Sequence, residues 1–122
     1  MKVLYVEDEA DIRDIAEFAL EDEDFDIIFC ESGEQALKQA VDFQPELILL
    51  DVMMPGMDGP TTLRNLRALP GMASIPVIFL TAKVQPNEIQ DFIALGAIDV
   101  ISKPFDPMTL ASQIQDLLRQ HK

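Results

Sequence analysis

Four short apolar runs in this chain of 122 residues each end in residues whose side chains can do chemistry. The first run is followed by Glu7 and Asp8, and the later ones end at Asp51, Thr81 and Lys103. If the three acids lie within about 4 Å of one another, they repel by several kcal/mol at an effective dielectric near 20, so a cation must accompany them. Lys103 can offset one charge. A hard divalent ion can offset two and takes oxygen ligands, which makes Mg2+ the natural choice.

Mg2+ beside these acids would be bound by carboxylate oxygens and a backbone carbonyl. We expect Asp8 and Asp51 to be direct ligands, a carbonyl from the loop after Asp51 to be a third, and Glu7 to act through water. A carboxylate beside Mg2+, a lysine and a hydroxyl can also be a nucleophile that becomes an aspartyl phosphate. Phosphoryl transfer needs mainly positioning and charge neutralisation, which Lys103 and Thr81 can supply. Any one of these residues alone would equally fit a helix cap, a turn or a solvated surface.

Strands and helices that alternate along the chain must position these residues. Strands are predicted near residues 2, 26, 46, 76 and 97, each followed by a helix, which is typical of a parallel sheet covered on both faces. Residues 47–50 are all apolar and indicate a central strand, whereas 27–29 have charged flanks and indicate an edge strand. Parallel strands share one carboxyl edge, where ligands bind. The chemical residues should therefore converge there, and only the second strand ends without one.

Several helix boundaries and faces can also be predicted. Ser32 followed by Gln35 fits a capping box at the start of the second helix. Asp106-Pro107 pairs a capping acid with proline at the first helical position and predicts the start of the last helix. The fourth helix is expected to turn Phe92 and Ile93 toward the core. In the first helix, Arg13 falls on the polar face with three acids.

Composition limits the classes of partner. Twenty-two acidic residues against nine basic ones give a net charge of −13, which disfavours contact with nucleic acid or anionic lipid. No apolar run approaches 18 residues and the N-terminal one is too short for a signal peptide, so we predict a cytoplasmic protein with no membrane contact. Cys30 is the only cysteine and is expected to be a small buried apolar residue. The length fits one domain, residues 1–122.

Five motifs occur together in this sequence: Glu7-Asp8, residues 51–59, Thr81-Ala82, Gly96-Ala97 and Lys103-Pro104-Phe105. In this combination the whole chain resembles the receiver domain of two-component response regulators. The resemblance implies an α/β fold of the flavodoxin-like type, with three αβα layers, five helices and a five-stranded parallel sheet of order 2-1-3-4-5. For five parallel strands this order, taken in part from the resemblance, is the leading candidate, and it places strands 1 and 3 side by side at the switch point.

The resemblance further implies a function and a set of partners. A histidine kinase or histidine phosphotransfer protein would donate a phosphoryl group from a phosphohistidine, and the chain would signal by contact with a downstream protein. We expect a monomer or weak dimer with no enzymatic turnover beyond its own phosphorylation and dephosphorylation. The Lys103–Pro104 peptide is expected to be cis. The implied roles are metal binding by Glu7, Asp8, Asp51 and the Met53 carbonyl, and phosphoryl binding by Asp51, Thr81 and Lys103.

The chain departs from many receivers at one position. Three residues before the lysine they have an aromatic ring whose inward turn accompanies movement of the threonine, and here that residue is Val100. A β-branched aliphatic side chain has no ring to exchange between solvent and core. We therefore predict that the segment from Thr81 to Gln85 moves on phosphorylation without an aromatic partner.

Three other functions fit parts of the sequence. The chain could be the receiver part of a longer regulator or hybrid kinase, although Met1 directly before the first strand disfavours an internal fragment. A phosphohydrolase of the haloacid dehalogenase type would need a second aspartate where Met53 stands. A flavodoxin-like redox module would need a phosphate-binding loop after the first strand, where Glu7-Asp8-Glu9 would repel a flavin phosphate.

Overall fold

The computed structural model describes residues 1–21 and 24–121, and in them five strands alternate with five helices. The alternation predicted from the sequence is confirmed. The elements are β1 (Lys2–Val6), α1 (Ala10–Leu20), β2 (Asp26–Cys30), α2 (Gly33–Phe43), β3 (Leu47–Asp51), α3 (Gly59–Arg67), β4 (Val77–Thr81), α4 (Pro86–Ala94), β5 (Asp99–Ser102) and α5 (Leu110–Gln120).

The strands form one parallel sheet of order β2-β1-β3-β4-β5, as predicted. β3 lies at its centre, and all five of its residues are buried because it has a strand on each side and a helical layer on each face. β2 is an edge strand whose first four residues are exposed or half-buried. The unbroken apolar run and the run with charged flanks therefore occupy the positions that their compositions indicate.

Two apolar cores lie on opposite faces of the sheet. Alternate residues of each strand point to opposite faces, so Leu4 belongs to the core under α2, α3 and α4, while Tyr5 belongs to the core under α1 and α5. Cys30 is buried in the first of these cores, as predicted, and its burial raises the thiol pKa to about 11. The result is the predicted three-layer αβα arrangement, with every strand end at one carboxyl edge.

The predicted start of α5 is wrong by three residues. Asp106 does not cap the helix; its Oδ1 accepts from the amide of Met108 at 2.9 Å, and its carbonyl accepts from the amide of Leu110 at 3.0 Å. Thr109 is the residue that precedes the helix. An aspartate can build a turn by accepting from the backbone two residues on, and here that turn replaces the first helical turn expected after Pro107.

Two further predictions, the inner face of α4 and the capping box of α2, are partly right. In α4, Phe92 is buried, but Ile93 is 45% exposed, because a nine-residue helix beside the edge strand β5 buries only a narrow stripe. In α2, Ser32 caps the helix by accepting from the amide of Gln35 at 3.1 Å. The Gln35 side chain accepts from the amide of Glu31, one residue before the cap, so the capping box closes on only one side.

Arg67, the last residue of α3, ties three segments together. Its guanidinium donates to the carbonyls of Met72 at 2.9 Å and Ile75 in the loop before β4. It also donates to the carbonyl of Gly96 at 3.2 Å, in the turn that follows α4. Burial lowers the pKa of Arg67. The C-terminal end of α4 is therefore fastened to the end of α3.

Helix length also bears on membrane contact. The helices contain 9 or 11 residues, whereas about 20 are needed to cross the hydrocarbon core of a bilayer. Within residues 1–21 and 24–121, none has the length and the apolar composition of a membrane span.

Candidate functional site

A lysine and two buried carboxylates meet at the carboxyl edge of the sheet. Lys103 Nζ donates to Glu7 Oε1 at 2.9 Å and to Asp51 Oδ1 at 3.2 Å. Glu7 and Asp51 follow or end the neighbouring strands β1 and β3, and Lys103 follows β5, so parallel topology places all three at this edge. The Lys103–Pro104 peptide is cis, as expected.

Asp8 completes a group of three acids. One carboxylate oxygen from each of Glu7, Asp8 and Asp51 lies within 4.8 Å of the other two. Asp8 Oδ1 is buried without any hydrogen-bond partner among the described residues. A buried acceptor without a donor is costly, and a set of donor atoms made only of oxygen is what hard divalent cations bind. The residues present therefore fit Mg2+. We call Glu7, Asp8, Asp51 and Lys103 the anionic cradle.

Burial dominates the electrostatics of the anionic cradle. It raises the pKa of Glu7 to about 7, although the hydrogen bond from Lys103 acts in the opposite direction. Burial likewise raises the pKa of Asp51, against the charge of Lys103. For Lys103 burial would lower the pKa, but Glu7 and Asp51 outweigh it and the pKa is raised. Burial thus opposes ionisation of Glu7 and Asp51, whereas a bound divalent cation would favour it.

Thr81 lies at the end of β4, next to the cradle, and its side chain has no hydrogen bond to the cradle among the described residues. Its side chain is buried, and Oγ1 accepts from the amide of Lys83 at 3.0 Å. The Thr81 carbonyl accepts from the amide of Lys103 at 2.9 Å, which links the two strand ends. Residues 82–85 after it are all exposed. We call residues 81–85 the Thr81 loop.

The loop after Asp51 folds back closely on its own strand. A Cβ atom on Gly59 would lie 2.5 Å from the Asp51 carbonyl oxygen, so only glycine fits there. Gly56 takes the positive φ, +75°, that its turn requires. The Met53 side chain is 67% exposed, so its thioether lies outside the buried donor set. Metal binding is expected of the Met53 backbone carbonyl and not of its side chain, and this stays a prediction.

One residue at this edge was missed from the sequence. Arg13 of α1, which the pattern placed on a polar face, is only 18% exposed, and its Nη1 donates to the Glu7 carbonyl at 2.8 Å. Its Nη2 lies 3.5 Å from Oε1 of Glu31, the residue that follows β2. Long side chains in a helix lean toward its N-terminus. That rule could have identified Arg13, because its position in the first turn directs it over the end of β1.

The fold and this site define a known class of protein. A model described as the response regulator receiver domain matches residues 3–115. The chain belongs to this family, and the resemblance found in the sequence is confirmed.

Three curated relatives show how the chain compares with longer proteins. It is 37% identical to the alkaline phosphatase synthesis transcriptional regulatory protein PhoP of Bacillus subtilis, covering 98% of this chain and 49% of the relative. It is 40% identical to the phosphate regulon transcriptional regulatory protein PhoB of Pseudomonas aeruginosa, covering 97% and 52%. It is 36% identical to the DNA-binding response regulator MtrA of Mycobacterium tuberculosis, covering 98% and 51%. The chain thus spans about half the length of these relatives.

Solved structures agree with the fold. The chemotaxis response regulator CheY4 of Vibrio cholerae superposes with a TM-score of 0.88 at 31% identity, covering 95% of this chain and 97% of CheY4. A response regulator from Desulfuromonas acetoxidans gives a TM-score of 0.85, also at 31% identity, covering 99% and 98%. These two structures are similar to this chain over nearly their whole lengths.

Proposed function

We propose that this chain is a phosphorylation-dependent signalling switch in which Asp51 accepts a phosphoryl group from a phosphohistidine. The donor would be a histidine kinase or a histidine phosphotransfer protein. The observation that supports this most is the contact of Lys103 with two buried carboxylates, at 2.9 and 3.2 Å, beside a third carboxylate with an oxygen that has no partner among the described residues. A capping acid or a solvated lysine would not require this arrangement.

Each residue of the anionic cradle has a part in the transfer. A carboxylate oxygen of Asp51 forms a bond to phosphorus as the bond between phosphorus and the donor imidazole nitrogen breaks, and the electron pair of that bond stays on the nitrogen. Lys103, already hydrogen-bonded to Asp51, neutralises charge on the arriving phosphoryl oxygens. Mg2+, when bound by Glu7, Asp8, Asp51 and the Met53 carbonyl, supplies further positive charge for the same oxygens.

Thr81 would report that the phosphoryl group has arrived. Its hydroxyl accepts from the Lys83 amide, so its own hydrogen is available for a phosphoryl oxygen. Charge-assisted hydrogen bonds contribute about 1.5 to 3 kcal/mol each, so two of them, from Thr81 and Lys103, approach the roughly 5.5 kcal/mol of a complete two-state switch. Val100 is half-buried and packed against the core, which leaves the Thr81 loop as the moving part.

The phosphorylated form would signal through the face built by α4, β5 and α5. Apolar side chains are exposed in α4 at Ile93 and just outside it at Val84 and Leu95, which suits contact with a downstream protein. The net charge of −13 disfavours direct contact with nucleic acid. Met53 stands where a second aspartate would act as general acid in a phosphohydrolase, so we propose no turnover beyond self-phosphorylation and self-dephosphorylation.

The test is to incubate the wild type and Asp51→Asn with acetyl phosphate and Mg2+ and to measure the intact mass. We expect a gain of one phosphoryl group in the wild type and none in Asp51→Asn. Asp58→Asn is a matched control in the same loop, because Asp58 caps α3 through the Thr61 amide at 2.9 Å and asparagine caps equally well. An equal mass gain in Asp51→Asn would reject the proposal.

A second candidate follows from the length comparison. The relatives are about twice as long as this chain, and one of them, MtrA, is named a DNA-binding response regulator. We propose residues 1–122 as one receiver domain, either acting alone or followed by an output domain that would make any nucleic-acid contact. The reading frame beyond Lys122 decides between these, because a long continuation with its own apolar core would favour the second.

A further inference from the structure

The turn that joins Glu7 to Asp8 is held from outside the carboxylate cluster. Arg13 donates to the Glu7 carbonyl at 2.8 Å and is mostly buried, and Glu31 steadies its guanidinium from the end of β2 at 3.5 Å. Arg13 links the segment after β2 to the site through side chains, beside the backbone bond in which the Glu7 amide donates to the Cys30 carbonyl at 3.0 Å. The contact of Arg13 involves a peptide carbonyl and leaves the carboxylates free for a cation.

The carbonyl that Arg13 holds belongs to the peptide unit between Glu7 and Asp8. That unit is planar, so fixing its oxygen fixes the plane from which Asp8 extends. The Glu7 side chain has its own ties, from Lys103 at Oε1 and from the Glu9 amide at Oε2. Asp8 Oδ1 has none among the described residues. The direction of the Asp8 carboxylate therefore depends on its backbone.

We propose that Arg13 is a positioning residue for the divalent cation: by holding the peptide between Glu7 and Asp8, it keeps the Asp8 carboxylate turned into the anionic cradle. The proposal rests on the cation site of the proposed function. Residues that orient metal ligands through hydrogen bonds typically change metal affinity 10- to 100-fold when they are removed.

Charge alone predicts the opposite effect. A guanidinium near a cation site repels the cation, so its removal should strengthen Mg2+ binding if Arg13 acts only through its charge. If Arg13 positions Asp8, its removal should weaken binding. For variants that are folded at the titration temperature, the direction of the change in Mg2+ affinity therefore separates the two roles.

The experiment titrates Mg2+ alone into the isotope-labelled full chain and follows amide chemical shifts. Arg13→Met is expected to bind Mg2+ about tenfold more weakly than the wild type. Arg119→Met is the matched control, because it removes the same charge from an exposed position on α5. It is expected to bind at least as tightly as the wild type. Thermal unfolding of each variant shows whether it is folded at the titration temperature.

Arg13→Lys is the conservative variant and also covers a failure of Arg13→Met to fold. Lysine keeps the charge but has no planar fork to reach both the carbonyl and Glu31, so we expect an affinity between those of Arg13→Met and the wild type. Unchanged or tighter Mg2+ binding in the folded Arg13 variants would overturn the proposal. Its failure is distinct from that of the proposed function, which would show as no phosphoryl gain in the wild type.

Discussion

The ends of β1 and β3 contrast with the end of β4. In the anionic cradle the Glu7 side chain has two hydrogen bonds, its carbonyl has a third, and Lys103 bridges it to Asp51. In the Thr81 loop, the Lys83 amide donates to Thr81 and the Gln85 amide donates to Glu88 in the first turn of α4, and the four residues after Thr81 are exposed. Both regions lie at the same edge of one sheet.

The difference separates two tasks. Phosphoryl transfer is fastest where charges are already placed before the group arrives, because no reorganisation then accompanies the reaction. A responding segment must instead come from the least stable parts of a protein, where few contacts need to be broken. In this chain the surroundings of the proposed acceptor, Asp51, are buried and hydrogen-bonded, and we call them the rigid region. The segment proposed to respond is exposed, and we call it the loosely held region. The predictions below test that division.

The largest effect is expected in the rigid region. Lys103→Met should slow phosphorylation of Asp51 by acetyl phosphate about a hundredfold, because one preorganised charge that stabilises the transition state is lost. The rate is measured by intact mass against time at fixed Mg2+. Lys38→Met, on the exposed face of α2, should react like the wild type. Equal rates in Lys103→Met and Lys38→Met would show that the cradle is not preorganised for transfer.

A smaller effect is expected of pH on the free energy of unfolding. The folded pKa of Glu7, about 7, lies above its ordinary value of 4.5, so the folded protein binds more protons than the unfolded chain between these values. The free energy of unfolding in a chelating buffer should therefore fall from pH 5 to pH 8, by on the order of 2 kcal/mol from this group. Urea unfolding at several pH values measures it.

Two matched variants test whether this dependence of stability on pH arises in the anionic cradle. Glu7→Gln cannot titrate and should flatten the fall in stability, whereas Glu17→Gln, exposed on α1, should leave it unchanged. The same slope in Glu7→Gln and the wild type would locate the effect elsewhere in this acidic chain.

The smallest effect on rate is expected in the loosely held region. Thr81→Ala should change the rate of phosphorylation less than about threefold, because its hydrogen bond to the phosphoryl group forms only after transfer and contributes little to the transition state. The response of its amide spectrum to phosphorylation should differ from that of the wild type more than its rate does. On binding a phosphoryl mimic, the wild type should shift residues 82–85, and Thr81→Ala should shift only residues of the cradle.

Thr109→Ala is the control for Thr81→Ala, since it removes a hydroxyl from an exposed turn before α5. It should retain the shifts at residues 82–85. Shifts confined to the loop after Asp51 in the wild type would contradict the proposed response.

The central strand and the common edge that forms the cradle were predictable because they depend on strong local signals, whereas the strand order came in part from the receiver family. Four consecutive apolar residues before Asp51 suit only a doubly covered strand, and parallel strands have one common carboxyl edge. The meeting of Lys103 with Glu7 and Asp51 follows from those two facts and from the motifs of the receiver family. No contact between helices had to be known in advance.

What the sequence did not reveal depends on competition between local and tertiary interactions. Asp106 had equally good local reasons to cap a helix and to build a turn, and the turn formed. Ile93 had the spacing of a buried residue, but the sheet beside α4 was too narrow to cover it. Arg13 looked like one more charge on a polar face, because its acceptor is a backbone carbonyl that no pattern of side chains reveals.

The guanidinium of Arg67 has a mechanical consequence for α4. Its bond to the Gly96 carbonyl grips the helix at its far end, while the near end begins beside the Thr81 loop. A rod that is fastened at one end rotates about that end when the other is pushed. If the Thr81 loop shifts, α4 should rotate about its C-terminal end near Gly96, and the exposed side chains nearest Pro86 should move furthest.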